Sequence, residues 1–287
     1  MRYPATINEQ QGPDIDAFRC TSPTYGYHAQ IVQCRNCGHV YANPSWSTTE
    51  LLDAYSNVED ELYLEERSAR ELTFRRHLKA METIIGPANG RTLLDVGAYI
   101  GIFIEMANQS GWAALGVEPS SWAVNAAKVK NLPIVKGTLH SSSLARSHFD
   151  VITMWDVIEH LPDPRADLNI AYERLVPGGF VVIHTMDVDS LTARIMGSRW
   201  PWLMDMHLHY FGQRTLSKML QNSGFEVIRS GSQGRYLSLG YLATRLGGLN
   251  ATAGVISKGL VEKLRISKHA LLVNLGDLFT IYARRPP

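Results

Sequence analysis

Between Thr92 and Gly101 the chain reads TLLDVGAYIG: an apolar run, an acidic residue, a glycine turn, and the opening of a helical pattern. This junction limits the fold more than any other stretch. A short continuous apolar run reads as a strand buried on both faces. Glycine directly after it lets the backbone turn sharply and come close to a ligand. The helix that follows presents free N–H groups to that ligand. The alternation then repeats. Residues 113–117, 134–135, 151–155, 180–185, 225–229 and 278–283 read as strands; 100–109, 122–129, 165–175 and 215–221 read as helices. Such alternation predicts right-handed crossovers and an α/β fold with a mostly parallel sheet covered on both faces.

What the glycine turn binds is narrowed by its neighbours. Glu118 ends the next strand, 23 residues after Asp95. A carboxylate there can accept hydrogen bonds from both hydroxyls of a ribose. Gly97 and Gly101 have no glycine between them, unlike the GxGxxG of dinucleotide loops. Asp95 would repel a pyrophosphate but suits an ammonium group. A cofactor with a ribose and an amino-acid end, and no phosphates, is S-adenosylmethionine. An NAD-dependent oxidoreductase is the disfavoured alternative.

Five motifs in order then carry a family resemblance: LLDVGAYIG; GVEPSSWA with Glu118; Lys136-Gly137-Thr138-Leu139; FDVITMWDVIEHLPDP with Asp156, Glu159 and His160; and LVPGGFVVIHT. Over roughly residues 90–230 the chain resembles class I S-adenosylmethionine-dependent methyltransferases, in the group that includes the ubiquinone-biosynthesis O-methyltransferases. The resemblance implies a Rossmann-like, mostly parallel seven-stranded sheet with helices on both faces, plus a small amino-terminal β unit and a helical lid. It implies that Asp95, Gly97 and Gly101 flank the aminocarboxypropyl arm. Glu118 would hold the ribose, with Pro119 and Ser120 beside the adenine. Thr138 and Leu139 would line the adenine, Leu139 through its backbone N–H, and Trp155 and Asp156 would lie next to the methionine portion. For Trp155, core packing is an equal alternative. Tyr99 departs from the family, which has a glycine there, and is expected to narrow the pocket.

Methyl transfer is an in-line displacement at an activated sulfonium, so the protein aligns the nucleophile and removes its proton where needed. The stretch 199–211, with two tryptophans, two histidines and a tyrosine, reads as a pocket wall. His207 is expected as general base or orienting group, with His209 second; a histidine bonded to loop backbone is the alternative. Glu159 and His160 are expected to order the loop after their strand rather than to do chemistry. Residues 1–47 form a zinc-ribbon-like segment, 48–89 a helical cap or linker, and 90–287 the methyltransferase domain with an insertion at about 236–270. Within the cap, Phe74, Leu78, Met81 and Ile85 lay an apolar stripe on one helix face, either packed on the main domain or serving as a lid. Tyr236, Tyr241 and Arg245 of the insertion could reach an acceptor. Cys20, Cys34 and Cys37, with His28 or His39, could bind zinc, although four ligands usually come as two pairs; a metal-free ribbon is the alternative.

The reading is methyl transfer to a small-molecule acceptor, most simply at oxygen, in cofactor, sugar or secondary-metabolite biosynthesis. N- or C-methylation and a non-catalytic S-adenosylmethionine-binding partner protein are the alternatives. With 28 Lys+Arg against 27 Asp+Glu among 287 residues, the chain has no global attraction for nucleic acid. No apolar run approaches a membrane span, and the start lacks a signal-peptide core, so no membrane partner and a cytoplasmic location are expected. Three cysteines fit a reducing compartment. Oligomeric state is left open.

Overall fold

The computed structural model describes residues 1–7, 18–22, 25–56, 58–144 and 148–287; positions 8–17 and 23–24 of the amino-terminal segment lie outside them. The described chain opens with two short strands, β1 (Ile31–Gln33) and β2 (Val40–Ala42), paired antiparallel. Helix α1 (Thr48–Ser56) follows. Its start is a reciprocal cap: Glu50 N–H donates to Ser47 Oγ (3.3 Å) and Ser47 N–H to Glu50 Oε2 (2.8 Å). Helix α2 (Glu61–Glu65) and the long α3 (Arg67–Ile85) occupy the stretch read as one helix. Leu78, Met81 and Ile85 of its apolar stripe are buried, and Phe74 packs at its edge.

The alternating region contains β3 (Thr92–Val96), α4 (Ile102–Gln109), β4 (Ala113–Glu118), α5 (Ser121–Val129), β5 (Ile134–Lys136), β6 (Phe149–Trp155), α6 (Pro164–Arg174) and β7 (Leu175–Met186). Then come α7 (Leu191–Met196), β8 (His209–Tyr210), α8 (Gln213–Asn222), β9 (Glu226–Ser232), β10 (Arg235–Ser238), α9 (Leu239–Leu249), α10 (Ala251–Lys263), β11 (Ala270–Val273) and β12 (Leu278–Arg284). The central sheet has seven strands in the order β5-β4-β3-β6-β7-β12-β9. Only β12 runs antiparallel to its neighbours.

The strand period of two divides the core into two layers. Leu94, Ile152, Val181 and Ile183 face α6 and α8, where Leu168, Ala171, Leu216 and Leu220 meet them. Leu93, Val151, Val182 and Tyr282 face α3, α4 and α5. The sheet is thus covered on both sides, as the apolar runs required.

Two additions close over the strand ends. The amino-terminal pair extends into a three-stranded sheet, β1-β2-β8, whose third strand comes from the loop after β7. Ile31 and Val40 share a core with Trp200, Leu203 and Tyr210. The insertion between β9 and β12 is a helical pair carried on the antiparallel β10–β11 ribbon. Its helices cross closely, because a Cβ on Gly254 would sit 2.2 Å from the Gly247 Cα. The ribbon docks on α3: Tyr236 N–H donates to Thr73 Oγ1 (2.8 Å), and Ser238 Oγ donates to Glu66 Oε1 (2.6 Å).

Truncating Leu94, fully buried at the sheet centre, to Ala should cost about 2–5 kcal/mol. The same change at exposed Val129 should stay within about 0.5 kcal/mol. Urea unfolding of the two variants against wild type measures the contrast.

Candidate active site

The strand order reverses between β3 and β6, with β4 and β5 on one side and β7 on the other. Open α/β sheets bind ligands in the crevice at such a point, outside the carboxyl ends of the strands. Gly97 turns the chain there at φ +69°, and a Cβ on it would meet Val157 Cγ2 at 2.6 Å. Gly97 and Ala98 N–H both donate to Val117 O, at 2.9 and 3.1 Å, tying the turn to the end of β4. Gly101, at φ +80°, starts α4.

Two carboxyls converge on this turn. Asp95 is buried and accepts from Thr153 Oγ1 at 2.6 Å; burial pushes it up to about 8. Glu118 Oε2 accepts from Tyr99 N–H (2.9 Å) and Oε1 from Ser120 N–H (2.7 Å). Burial outweighs both donors and pushes Glu118 up to about 7. Pro119 follows it, and Ser120 caps α5 through Ala123 N–H (3.2 Å). Beyond β5, Gly137 N–H donates to Glu118 O at 2.9 Å, holding the Thr138–Leu139 turn against it. Leu139 itself is fully buried in the core, so only its backbone can face a ligand.

Trp155 ends β6 among Phe74, His77, Phe103 and His184, with ring centroids 5.0–6.2 Å apart. Asp156, at φ +55°, turns its carboxylate to Arg235 Nη2 at 3.1 Å. Burial would raise Asp156, but Arg235, with His184 and His77, outweighs it and holds the carboxyl below its ordinary value. Asp156 and Cys20 both keep accessible surface.

Beside Asp156 lies a cluster the sequence reading did not assemble. Glu159, His160 and His207 each bring a ligand atom within 4.8 Å of the others. Leu208 N–H donates to Glu159 O (2.9 Å), which draws the loop after α7 against the turn after β6. His207 Nδ1 meets Trp202 O at 2.7 Å and so carries the proton, whereas His160 Nδ1 meets both the Tyr55 hydroxyl (2.7 Å) and Met206 O (2.9 Å). His207 Nε2 therefore keeps a free lone pair. Burial, reinforced by Asp156, pushes the Glu159 carboxyl up, although Thr185 Oγ1 donates to it at 2.9 Å. The Asp-x-x-Glu-His spacing was the available signal; its third member lies 47 residues further on.

The two histidines of the expected pair part company. His207 is poorly suited as general base, because burial and His160 push it down to about 3, leaving a weak proton acceptor at neutral pH. His209 does not join the cluster. It sits in β8, where Nδ1 meets His39 Nε2 at 3.0 Å and the ring packs on Phe211.

The cysteines also separate. Cys34 and Cys37 lie on the turn between β1 and β2, where backbone N–H groups lower the Cys34 thiol. Cys20 lies apart from them, near Asp60, Glu118 and Asp156, which with burial push its thiol up to about 12. Among the described residues the three form no common cluster with a histidine. The expected zinc set of Cys20, Cys34 and Cys37 is not brought together among the described residues: Cys34 and Cys37 sit on the β1–β2 turn, whereas Cys20 lies near Asp60.

Residues 63–230, more than half of the chain, match a family model described as a methyltransferase domain. A ubiquinone biosynthesis O-methyltransferase of Rhodopseudomonas palustris is 28% identical over 170 residues, 51% of this chain and 66% of that protein. One of Psychrobacter arcticus is 30% identical over 152 residues, 47% of this chain and 59% of that protein. The chain thus spans less than two thirds of the length of either relative. Among solved structures, the magnesium protoporphyrin IX methyltransferase of Synechocystis with bound S-adenosylhomocysteine superposes with a TM-score of 0.54 at 13% identity, covering 83% of this chain and 100% of that one. A methyltransferase from Archaeoglobus fulgidus gives 0.52 at 19%, covering 78% and 100%. Identities that low speak for the fold alone. The family match and the fold agree, and the chain belongs to the class I S-adenosylmethionine-dependent methyltransferases.

Proposed function

We propose that the protein transfers the S-adenosylmethionine methyl group to an oxygen of a small-molecule acceptor in cofactor biosynthesis. The observation that carries this reading is the Glu159–His160–His207 cluster after the end of β6, where in this reading it would lie near the methyl donor. The curated relatives, ubiquinone biosynthesis O-methyltransferases, support oxygen as the accepting atom.

In this reading Glu118 accepts from the ribose hydroxyls. Asp95 and the Gly97 turn hold the amino-acid arm, and Trp155 packs beside the sulfonium. The acceptor oxygen bonds to the methyl carbon as the carbon–sulfur bond breaks, and the cofactor leaves as a neutral thioether. The acceptor proton goes to Glu159, whose raised carboxyl is matched to that task near neutral pH. His207 Nε2, fixed by the Trp202 carbonyl, accepts the acceptor hydroxyl as a hydrogen bond and orients it. The same three side chains fit a divalent cation. An imidazole nitrogen from each histidine and a carboxylate oxygen converge, and the His207 ring is oriented by the Trp202 carbonyl. Such an ion would supply Lewis acidity to the acceptor hydroxyl.

Glu118→Ala should weaken S-adenosylhomocysteine by ~10- to 100-fold, the loss of one or two hydrogen bonds to a charged group. Calorimetric titration reads it, and unchanged affinity would remove Glu118 from the site. Because the Glu118 carboxyl ionises near 7, wild-type affinity should climb from pH 6 to pH 8, and Glu118→Gln should flatten that climb.

Turnover should fall by ~10² or more in Glu159→Gln, with S-adenosylhomocysteine affinity kept. His207→Ala should fall less if it only orients. Dialysis against a chelator, followed by metal analysis and titration with Mg²⁺ or Zn²⁺, decides the cation: no bound metal and no response would leave Glu159 as the base alone.

A further inference from the structure

We propose that helix α10 docks the protein on an anionic lipid surface, lying in the plane of the interface with its exposed apolar side chains among the acyl chains. The inference stands apart from the methyltransferase reading. The insertion that carries α10 lies beyond residues 63–230, the part that matches the family model.

A surface helix of a folded protein normally buries its large apolar side chains and shows its polar ones. Helix α10 does the reverse. It meets α9 through small residues: Gly254 is buried against Gly247, where a side chain would not fit. Ile256, Leu260 and Leu264 recur every four residues and so share one face, with Val255 about 100° round the helix from Ile256. All four are between 54 and 75% exposed. The chain then passes into β11, where Leu271 and Leu272 are exposed, as is Leu275 just after it. Single exposed apolar residues are ordinary, but a run this dense marks an interaction surface.

Charge decides what covers it. Residues 251–275 hold four cations, Lys258, Lys263, Arg265 and Lys268, against one acid, Glu262, whereas the whole chain nets only +1. All four cations are exposed, and among the described residues none has an acid within ion-pair distance. A second copy of the chain would set this cationic rim against itself. A protein groove grips a single helix stripe. Here Val255 stands off the stripe, and the adjacent Leu271 and Leu272 point to opposite faces of their ribbon. A fluid interface accepts all of them. Its acyl boundary takes the leucines, and its anionic headgroups take the lysines and the arginine at the ends of their flexible stems.

The expectation of no membrane partner rests on the lack of a spanning run. No described helix is long and apolar enough to cross a membrane, but a helix lying in the interface needs no such length. The ribbon that carries α10 is bonded to α3 at Thr73 and Glu66, so docking brings the cover of the strand ends to the lipid surface.

The test is flotation of the full chain with extruded vesicles of phosphatidylcholine and phosphatidylglycerol in equal parts, set against phosphatidylcholine alone. Wild type should float with the anionic vesicles, bind the neutral ones less, and let go as salt rises. Ile256→Glu with Leu260→Glu should abolish flotation. Lys258→Ala with Lys263→Ala should weaken anionic binding by ~10- to 30-fold, about fivefold per cation, and leave neutral binding unchanged. Val129→Glu, an exposed site on α5, should change nothing. All variants should keep the wild-type Tm, since these side chains face solvent. Flotation that survives in the double glutamate variant means adsorption by charge alone and overturns the proposal. So does a wild type that ignores anionic vesicles. Sedimentation velocity then separates the other occupants. A dimer that Ile256→Glu with Leu260→Glu dissolves gives the stripe to a second copy, and a wild-type monomer that does not float gives it to a protein groove.

Discussion

Burial of ionisable groups at the carboxyl ends of the sheet strands is the constraint on which the rest depends. Asp95, Glu118 and Glu159 are all removed from water, and their carboxyls are pushed up. His77, His184 and His207 are buried in the same region and pushed down. Each shift has one leading cause, desolvation. Acids that resist ionising and bases that resist protonation are poised to respond to a bound cation, hydroxyl or anion. A site open to water could not hold them so.

That enclosure is built by elements outside the alternating core. The sheet and its helices provide the crevice, but α2, α3, the β10–β11 ribbon and the amino-terminal segment roof it. The Thr73–Tyr236 and Glu66–Ser238 bonds fasten the insertion to α3. Arg235, at the start of the ribbon, reaches from the roof to Asp156 and stacks on Trp202, 5.0 Å from the ring centroid. Roof and floor therefore share charged contacts, so a change in the insertion is felt at the strand ends.

The residues proposed for the cofactor were legible as a group because they are close in sequence. Asp95, Gly97 and Gly101 lie within one strand–turn–helix unit, and Glu118 ends the next strand. Local rules of period, glycine conformation and strand termini place them. The Glu159–His160–His207 cluster was not legible. Glu159 and His160 reach His207 only because the loop after α7 is stitched to the Glu159 carbonyl. His209, two residues from His207, goes instead to a seam with His39. Burial makes His207 a weak proton acceptor, which side-chain chemistry alone does not report. Likewise, the spacing of Cys34 and Cys37 says nothing of where Cys20 packs.

By itself, the sequence determined the α/β alternation, the glycine turn, the acidic residue at the end of β4 and the family, since all of these follow from local periodicity and short-range motifs. Only the tertiary structure decided which distant side chains meet. The partnership of Glu159 with His207, the pairing of Arg235 with Asp156, and the exposed apolar stripe of α10 depend on how the covering elements pack. The physical reason is that backbone preference acts over a few residues. Desolvation and charge pairing act across whatever surfaces the packed chain brings together.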